Sequence, residues 1–123
     1  MIKSNVVRNI GESREPPDII RAAMNDDVAE LLAALREGAS VNDIDHRFDM
    51  NAIHMACIRQ SHNFLFAAIE NTDVDVWARD GMMRVAFDHC FANKDTTGMQ
   101  KLFELMYPDT PSPEGTVIPM PER

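Results

Sequence analysis

The sequence predicts an all-α fold in which three pairs of short helices stack side by side. Three observations predict it: residues 18–107 contain no proline, apolar residues recur there at helical spacing, and the pattern returns about every 33 residues. Because a proline inside a helix costs about 3 kcal/mol, this stretch is where helices can pack continuously. Helices of about two to three turns are unstable alone, so neighbouring pairs must cover one another's apolar faces.

Proline also sets the predicted domain boundaries. Pro16 and Pro17 close an N-terminal flank, residues 1–17, and the folded domain is expected to be residues 18–107. Residues 108–123 include five Pro and one Gly, a composition that excludes a regular helix and favours extended chain. We therefore expect one domain between a short flank and a Pro-rich tail, as the length of 123 residues also suggests.

Composition and charge argue against several classes of function. No uncharged apolar run approaches the roughly 18 residues that a membrane-spanning helix needs. Twelve Lys and Arg against 20 Asp and Glu give a net charge of −8, the wrong sign for clamping a phosphate backbone. The N-terminus lacks the apolar core of a secretory signal, and two Cys make no disulfide framework. We expect a cytoplasmic protein that binds neither nucleic acid nor membrane.

In the first predicted pair, a short helix begins after Asp18, whose carboxylate lies at the positive end of the helix, and ends near Met24. The polar residues 25–27 can cap a second helix, predicted over residues 28–37, with its leucines on one stripe. Gly38 supplies the left-handed residue that ends this helix.

The same pattern predicts two further pairs. The second pair comprises residues 51–59 and 62–70, with a break at Gln60-Ser61. The third comprises residues 82–91 and, after a polar break, a last helix that is largely apolar between Met99 and Tyr107. Since no further pair follows, we expect the apolar side of this last helix to be covered by the tail or by a second copy of the protein.

These units resemble the ankyrin repeat family, whose unit joins two short helices to a turn and commonly reads T-P-L-H-x-A-A and then G-A-D-V-N. Residues 35–42, L-R-E-G-A-S-V-N, match the ending of that unit. Residues 51–57, N-A-I-H-M-A-C, stand in the T-P-L-H-x-A-A position, and residues 75–81, D-V-W-A-R-D-G, resemble a further ending. The resemblance covers roughly residues 18–107 and implies a helical solenoid whose β-turn loops, or fingers, bind other proteins.

The third unit departs furthest from the family pattern. Residues 83–89, M-R-V-A-F-D-H, occupy the same position and keep neither the His nor the small pair. Counted from the position of the family's His, the units fall at Ile20, His54 and Ala86, which are intervals of 34 and 32. The period therefore continues although the residues differ.

Four residues have structural roles that follow from this arrangement. Ala22 and Ala56 are small because the first helices of adjacent pairs approach closely. Gly38 ends an outer helix in the left-handed conformation. His54, near the start of its helix, can offer one ring nitrogen to a neighbouring turn and so tie successive repeats together.

The candidate binding site lies in two acidic fingers between the helix pairs. The first finger, residues 43–49, and the second finger, residues 73–80, hold six Asp against only Arg47 and Arg79, and so carry half of the net charge of −8. Such fingers lie on a rigid scaffold, where binding contacts concentrate, and an acidic surface attracts a basic partner. The residues predicted to bind a partner are Asp45, Phe48, Asp49, Asp75, Trp77, Arg79, Asp80 and Met82.

Other interpretations of the same residues remain open. Asp favours turns because its side chain hydrogen-bonds the local backbone, which alone can account for the acids. Phe48 and Trp77 are either anchors of an interface or side chains packed under the turns. Met82 and Met50 suit an adaptable surface, although Met also fills gaps in cores.

Catalysis and metal binding are not expected from the motifs. His54 and Cys57 lie three residues apart on one helix, but the compact C-x-x-C or H-x-x-x-H pairs of structural zinc sites do not occur. His89 and Cys90 are neighbours in sequence, so on a helix they point about 100° apart and make a poor nucleophile pair. No phosphate-binding Gly-rich loop and no G-x-S-x-G motif is present. We expect no cofactor.

These observations favour a non-catalytic protein-protein interaction module, such as a small cytoplasmic inhibitor, immunity or adaptor protein. It would bind another protein, with a basic surface, through the acidic fingers and the concave face. It is expected to be a monomer or weak homodimer. A self-associating structural protein that dimerises through the last repeat is the alternative, and a small metal or thiol enzyme is a distant third.

Overall fold

The computed structural model describes residues 15–109, and within them the protein is all-helical. Its six helices are α1 (Ile19–Asn25), α2 (Val28–Arg36), α3 (Ala52–Arg59), α4 (His62–Asn71), α5 (Ala86–Ala92) and α6 (Thr96–Met106). In these residues the only β pairing is an isolated antiparallel bridge between Asp45 and Met50, which closes the turn of the first finger. Most of the predicted flank, residues 1–17, and of the tail, residues 108–123, lies outside the described residues.

Polar side chains cap most of the helices at their N-termini. Asp18 accepts hydrogen bonds from the amides of Ile20 and Arg21, and Asp27 accepts one from Glu30. Asn51 caps α3 and Asp95 caps α6 in the same way. Each cap satisfies amide groups that have no partner within the helix, which fixes where the helix begins.

The backbone repeats with one regular period. Asp26, Gln60 and Lys94, at intervals of 34, are left-handed residues with φ of 55°, 57° and 56°, and each lies in the turn between the two helices of a pair. The N-cap residues of α2, α4 and α6 follow directly, and so have the same spacing: Asp27, Ser61 and Asp95. The three pairs therefore share one turn geometry although their turn residues differ.

This period corrects the prediction for the third pair. The helix predicted from Met82 begins only at Ala86, because Met83 is left-handed with φ of 66°. The residue equivalent to His54 is therefore Asp88 rather than Ala86, which gives an interval of 34 and not 32. Asp88 and His54 also make the same kind of hydrogen bond. The amide of Val85 donates to Asp88 Oδ2 at 3.0 Å, and the amide of Asn51 donates to His54 Nδ1 at 3.0 Å.

The helix pairs pack against one another in chain order. Helix α3 packs against both α1 and α5, and α4 packs against both α2 and α6. Ala22 and Ala56 lie in the core between the first helices of the pairs and are almost fully buried, as their small size predicts. Gly38 follows α2 with φ of 95°, a conformation that strains other residues.

None of the six helices in residues 15–109 is long and apolar enough to cross a membrane.

Candidate functional site

A single side chain links the bases of the two fingers. The side-chain nitrogen Nδ2 of Asn42 donates to the backbone carbonyl oxygen of Asp73 at 2.9 Å, and its Oδ1 accepts from the backbone amide of Asp75 at 2.8 Å. Asn42 is the last residue of the L-R-E-G-A-S-V-N match, and no site role was predicted for it. Its side chain both donates and accepts, so one residue can hold two points of the next finger in register.

The tips of the fingers are also joined, by the backbone, where the tip of the second finger includes the turn that follows it, residues 81–83. The amide of Gly81 donates to the carbonyl oxygen of Asp49 at 2.8 Å. A β-carbon at position 81 would overlap the Asp49 carboxylate, so a side chain cannot fit without movement. Gly81, for which the sequence pattern predicted no role, therefore permits the close approach of the two tips.

In the first finger, Arg47 neutralises much of the charge assigned to Asp45. Its Nη2 lies 2.7 Å from Asp45 Oδ2 and 3.0 Å from Asp18 Oδ2, which ties the finger to the start of α1. The hydrogen bond from Arg47 holds the pKa of Asp45 below its usual value. The guanidinium also lies over the Phe48 ring, with 5.5 Å between the guanidinium carbon and the ring centroid.

In the second finger, Asp80 is not on the surface, which corrects its assignment as a partner-binding residue. Its side chain is 1% exposed, with Oδ1 2.9 Å from the amides of Met82 and Arg84 and Oδ2 2.7 Å from His89 Nε2. Burial alone would raise the pKa of Asp80, but these amides, His89 and the Arg84 guanidinium lower it to about 2. Asp80 is a structural carboxylate that shapes the turn after the finger.

His54 ties the second finger to α3. Its Nδ1 accepts from the amide of Asn51, so Nε2 carries the proton and donates to the carbonyl oxygen of Ala78 at 2.9 Å. This bond agrees with the expectation that one ring nitrogen of His54 meets a neighbouring turn. Burial lowers its pKa, so the ring is neutral. His89 lies edge-on to it, with 5.8 Å between the ring centroids, so buried polar side chains connect His54 through His89 to Asp80.

The fingers expose large apolar side chains. Phe48 is 39% exposed, Trp77 49%, Met82 71% and Met83 66%. Phe48 and Met82 are each adjacent in sequence to one partner of the bond that joins the tips. Trp77 is not packed under its turn; its ring meets Tyr107, beyond α6, edge-on at 5.7 Å. We call Phe48, Trp77, Met82 and Met83 the finger patch.

Only some of the finger carboxylates are free to meet a partner at the surface. Asp49 and Asp75 are exposed, as are Asp43 and Asp73, while Asp45 and Asp80 are engaged with arginines or His89. Arg79 donates from Nη1 to the carbonyl oxygen of Met83 at 2.7 Å and so supports the turn that carries Met82. The structure thus brings most of the predicted binding residues to one region but separates surface acids from structural ones.

In the described part of the chain, no three His, Cys, Asp or Glu side chains come together as a set that could hold a metal ion. Comparison with known proteins gives no further direction: no protein-family model matches this sequence, and no curated protein matches it.

Proposed function

We propose that this protein is an ankyrin-type repeat protein, and that it binds another protein without catalysing a reaction. Three observations support the ankyrin relationship: the regular period of the backbone, the bond from His54 to the next finger, and the link from Asn42 to the same finger. Such scaffolds keep their loops fixed, and binding residues concentrate on such loops.

The observation that carries the proposal is the finger patch. Apolar side chains as large as Phe48, Trp77, Met82 and Met83 are each exposed on two loops that are bonded to one another at base and tip. Clustered exposed apolar residues mark interaction sites, and aromatic residues dominate the energy of protein interfaces. Because the loops are already ordered, little conformational entropy is lost when a partner binds.

The partner we propose is a protein with a basic surface. Asp43, Asp49, Asp73 and Asp75 are exposed on the same two fingers as the patch and give this part of the protein a negative field that speeds encounter with cations. On this proposal the protein is a small cytoplasmic inhibitor, immunity or adaptor protein. It binds through the fingers together with the concave face and needs no cofactor.

The test is affinity capture from native lysate with matched variants. Phe48→Ser with Met82→Ser removes two patch side chains, and Leu105→Ser, at an exposed apolar residue of α6, is the control. The proposal expects a protein retained by the wild type and by Leu105→Ser but lost with the double variant. A partner retained equally by all three would place binding elsewhere.

Charge is tested separately with that partner. Asp43→Lys with Asp73→Lys should slow association strongly at low salt and much less at high salt, because screening removes steering. These two acids are chosen because Asp45 and Asp80 hold the fingers together. An unchanged association rate would show that these exposed acids stabilise the turns and do not steer a partner.

Self-association through the last pair is a second candidate, supported by its own exposed apolar residues. Phe91, Leu105 and Tyr107 are each more than a third exposed at that end of the described chain. The tail, the other predicted cover, lies from residue 110 outside the described residues. Sedimentation over a range of concentrations tests it: a dimer that Leu105→Glu dissociates supports this candidate, and a monomer throughout argues against it.

A further inference from the structure

Two cysteines from successive helix pairs meet in the core. Cys57 lies on α3 and Cys90 on α5, and these two helices pack against each other. Both side chains are buried, at 1% and 0% exposure, and Cys90 is close enough to the Cys57 thiol to raise its pKa. The helices also meet at this point, since Asn93, three residues after Cys90, donates from Nδ2 to the carbonyl oxygen of Cys57 at 3.1 Å. In the sequence motifs Cys57 stands near His54 and Cys90 beside His89, and no motif pairs the two cysteines.

The regular period of the backbone shows what this position normally holds. Ala23 and Ala56 occupy the equivalent positions of α1 and α3, one interface earlier, and are equally buried. The backbone surroundings correspond as well, because the carbonyl oxygens of Ala23 and Cys57 each accept a side-chain hydrogen bond from the following pair, from Ser61 and Asn93. The two cysteines thus place sulfur atoms at a helix contact where the preceding interface has alanines.

The third helix pair makes room for one of these sulfurs. A β-carbon at position 98, on α6, would lie 2.6 Å from Cys90 Sγ. Gly98 therefore leaves the space that the sulfur occupies, so the packing around Cys90 is fitted to a thiol and not to a methyl group.

We propose that Cys57 and Cys90 form a redox modification site, at which a disulfide oxidant such as oxidised glutathione joins α3 to α5. In the first step one cysteine thiolate attacks a glutathione sulfur, forms a mixed disulfide and releases one glutathione thiolate. The second cysteine, deprotonated, then attacks the protein sulfur of that mixed disulfide and releases the second glutathione. The protein loses two hydrogen atoms with two electrons in total, and the oxidant is reduced to two thiols.

Burial controls when this reaction occurs. The interaction with Cys90 and burial raise the pKa of the Cys57 thiol well above its usual value. The reactive thiolate is therefore scarce while the helices stay packed. The first step therefore needs local opening between the second and third pairs. Once formed, the cross-link joins those two pairs covalently. It stabilises the folded protein because it restricts the unfolded chain.

The experiment oxidises the full chain with excess oxidised glutathione at mildly alkaline pH. Remaining thiols are alkylated after denaturation, and intact mass counts them. We expect a monomer that has lost both thiols and carries no glutathione, formed faster at low urea, with a melting temperature above that of the reduced protein. Three results would overturn the proposal: two free thiols, glutathione on each cysteine, or a cross-linked protein that melts below the reduced one.

Matched variants separate the proposal from general thiol chemistry. Cys57→Ala with Cys90→Ala copies the neighbouring interface, so it should fold and show no redox dependence of its melting temperature. Adding Ala23→Cys and Ala56→Cys to that variant moves the pair by one repeat, where the buried Phe64 stands at the position equivalent to Gly98, so this pair should cross-link more slowly than the natural one. If the moved pair cross-links and the natural pair does not, Cys57 and Cys90 are core residues only.

Discussion

The two fingers lie side by side but are held by different kinds of interaction. Arg47 braces the first finger from the surface, where its side chain is 58% exposed and bonds two carboxylates. Asp80 braces the second from inside, where it accepts bonds from two amides, His89 and Arg84. Water and salt weaken the first arrangement, whereas the second cannot be broken without leaving buried polar groups unpaired.

This difference separates the roles of the fingers. The shape of the second finger is coupled to the stability of the whole domain, because His89 and His54 lie in the core beside it. The Arg47 contacts of the first finger are exposed, so loosening them should cost the domain little stability. We expect the second finger to act as the fixed part of the binding surface and the first to adjust to a partner.

Removing the internal brace should have the largest effect. Asp80→Ala leaves two amides and the His89 ring without their acceptor, and we expect unfolding to become easier by about 3 kcal/mol. Urea unfolding measures it. Asp75→Ala is the matched control, since this exposed finger carboxylate accepts only the amide of Trp77 in the described contacts, and should lose under about 1 kcal/mol. Equal losses from both variants would show that Asp80 is not a structural brace.

Acid should weaken the second finger in two windows. The pKa of His54 is lowered by burial, so its contribution is complete above about pH 6.5 and is lost as pH falls below that value. The pKa of Asp80 is lowered to about 2, so its contribution is complete above about pH 4 and is lost between about pH 4 and pH 2. The second loss should reach about 2 kcal/mol.

Urea unfolding across pH 2 to 8 tests both windows. Asp80→Ala should flatten the lower window without abolishing it, because the pKa values of Asp18 and Asp45 are also lowered in the fold. A profile in Asp80→Ala that falls as steeply as in the wild type would assign the acid limb to other carboxylates.

The helical part of this structure could be predicted from the sequence because it depends on local signals. The breaks at Asp26, Gln60 and Lys94 are polar interruptions of apolar stripes, and the helices begin and end within about two residues of their predicted limits in the first two pairs. The start of α5 was missed because Met82, Met83 and Val85 continue an apolar pattern. Only the buried Asp80 and the left-handed Met83 show that a turn lies there.

The finger site could be predicted in composition but not in detail. Asp80 and Asp75 are the same residue type in the same kind of loop, and their difference depends on His89, which lies in the following helix. The bond between the tips likewise joins Asp49 and Gly81, which are far apart in the sequence. Such contacts follow from the stacking of the pairs, which a single sequence does not display residue by residue.

Disturbing the contact between the tips should have an intermediate effect. Gly81→Ala places a β-carbon against Asp49, and we expect a loss of about 1 kcal/mol together with faster hydrogen exchange at the amide of residue 81. Adding Asp49→Gly removes the obstructing side chain and suits the φ of 60° at that position, so it should restore most of the loss. If the second change brings no recovery, the clash is not the reason for glycine at position 81.

Removing the surface brace should have the smallest effect on stability and the clearest local one. Arg47→Ala frees the carboxylates of Asp45 and Asp18 and uncovers the Phe48 ring, yet exposed ion pairs contribute little to unfolding. We expect a nearly unchanged melting temperature at high salt, a slight decrease at low salt, and faster hydrogen exchange at the amides of Phe48 and Asp49, which bond to the Asp45 carbonyl. If Arg47→Ala instead lowers the melting temperature as much as Asp80→Ala, the first finger is coupled to the domain as firmly as the second, and the division into a fixed and an adjustable finger fails.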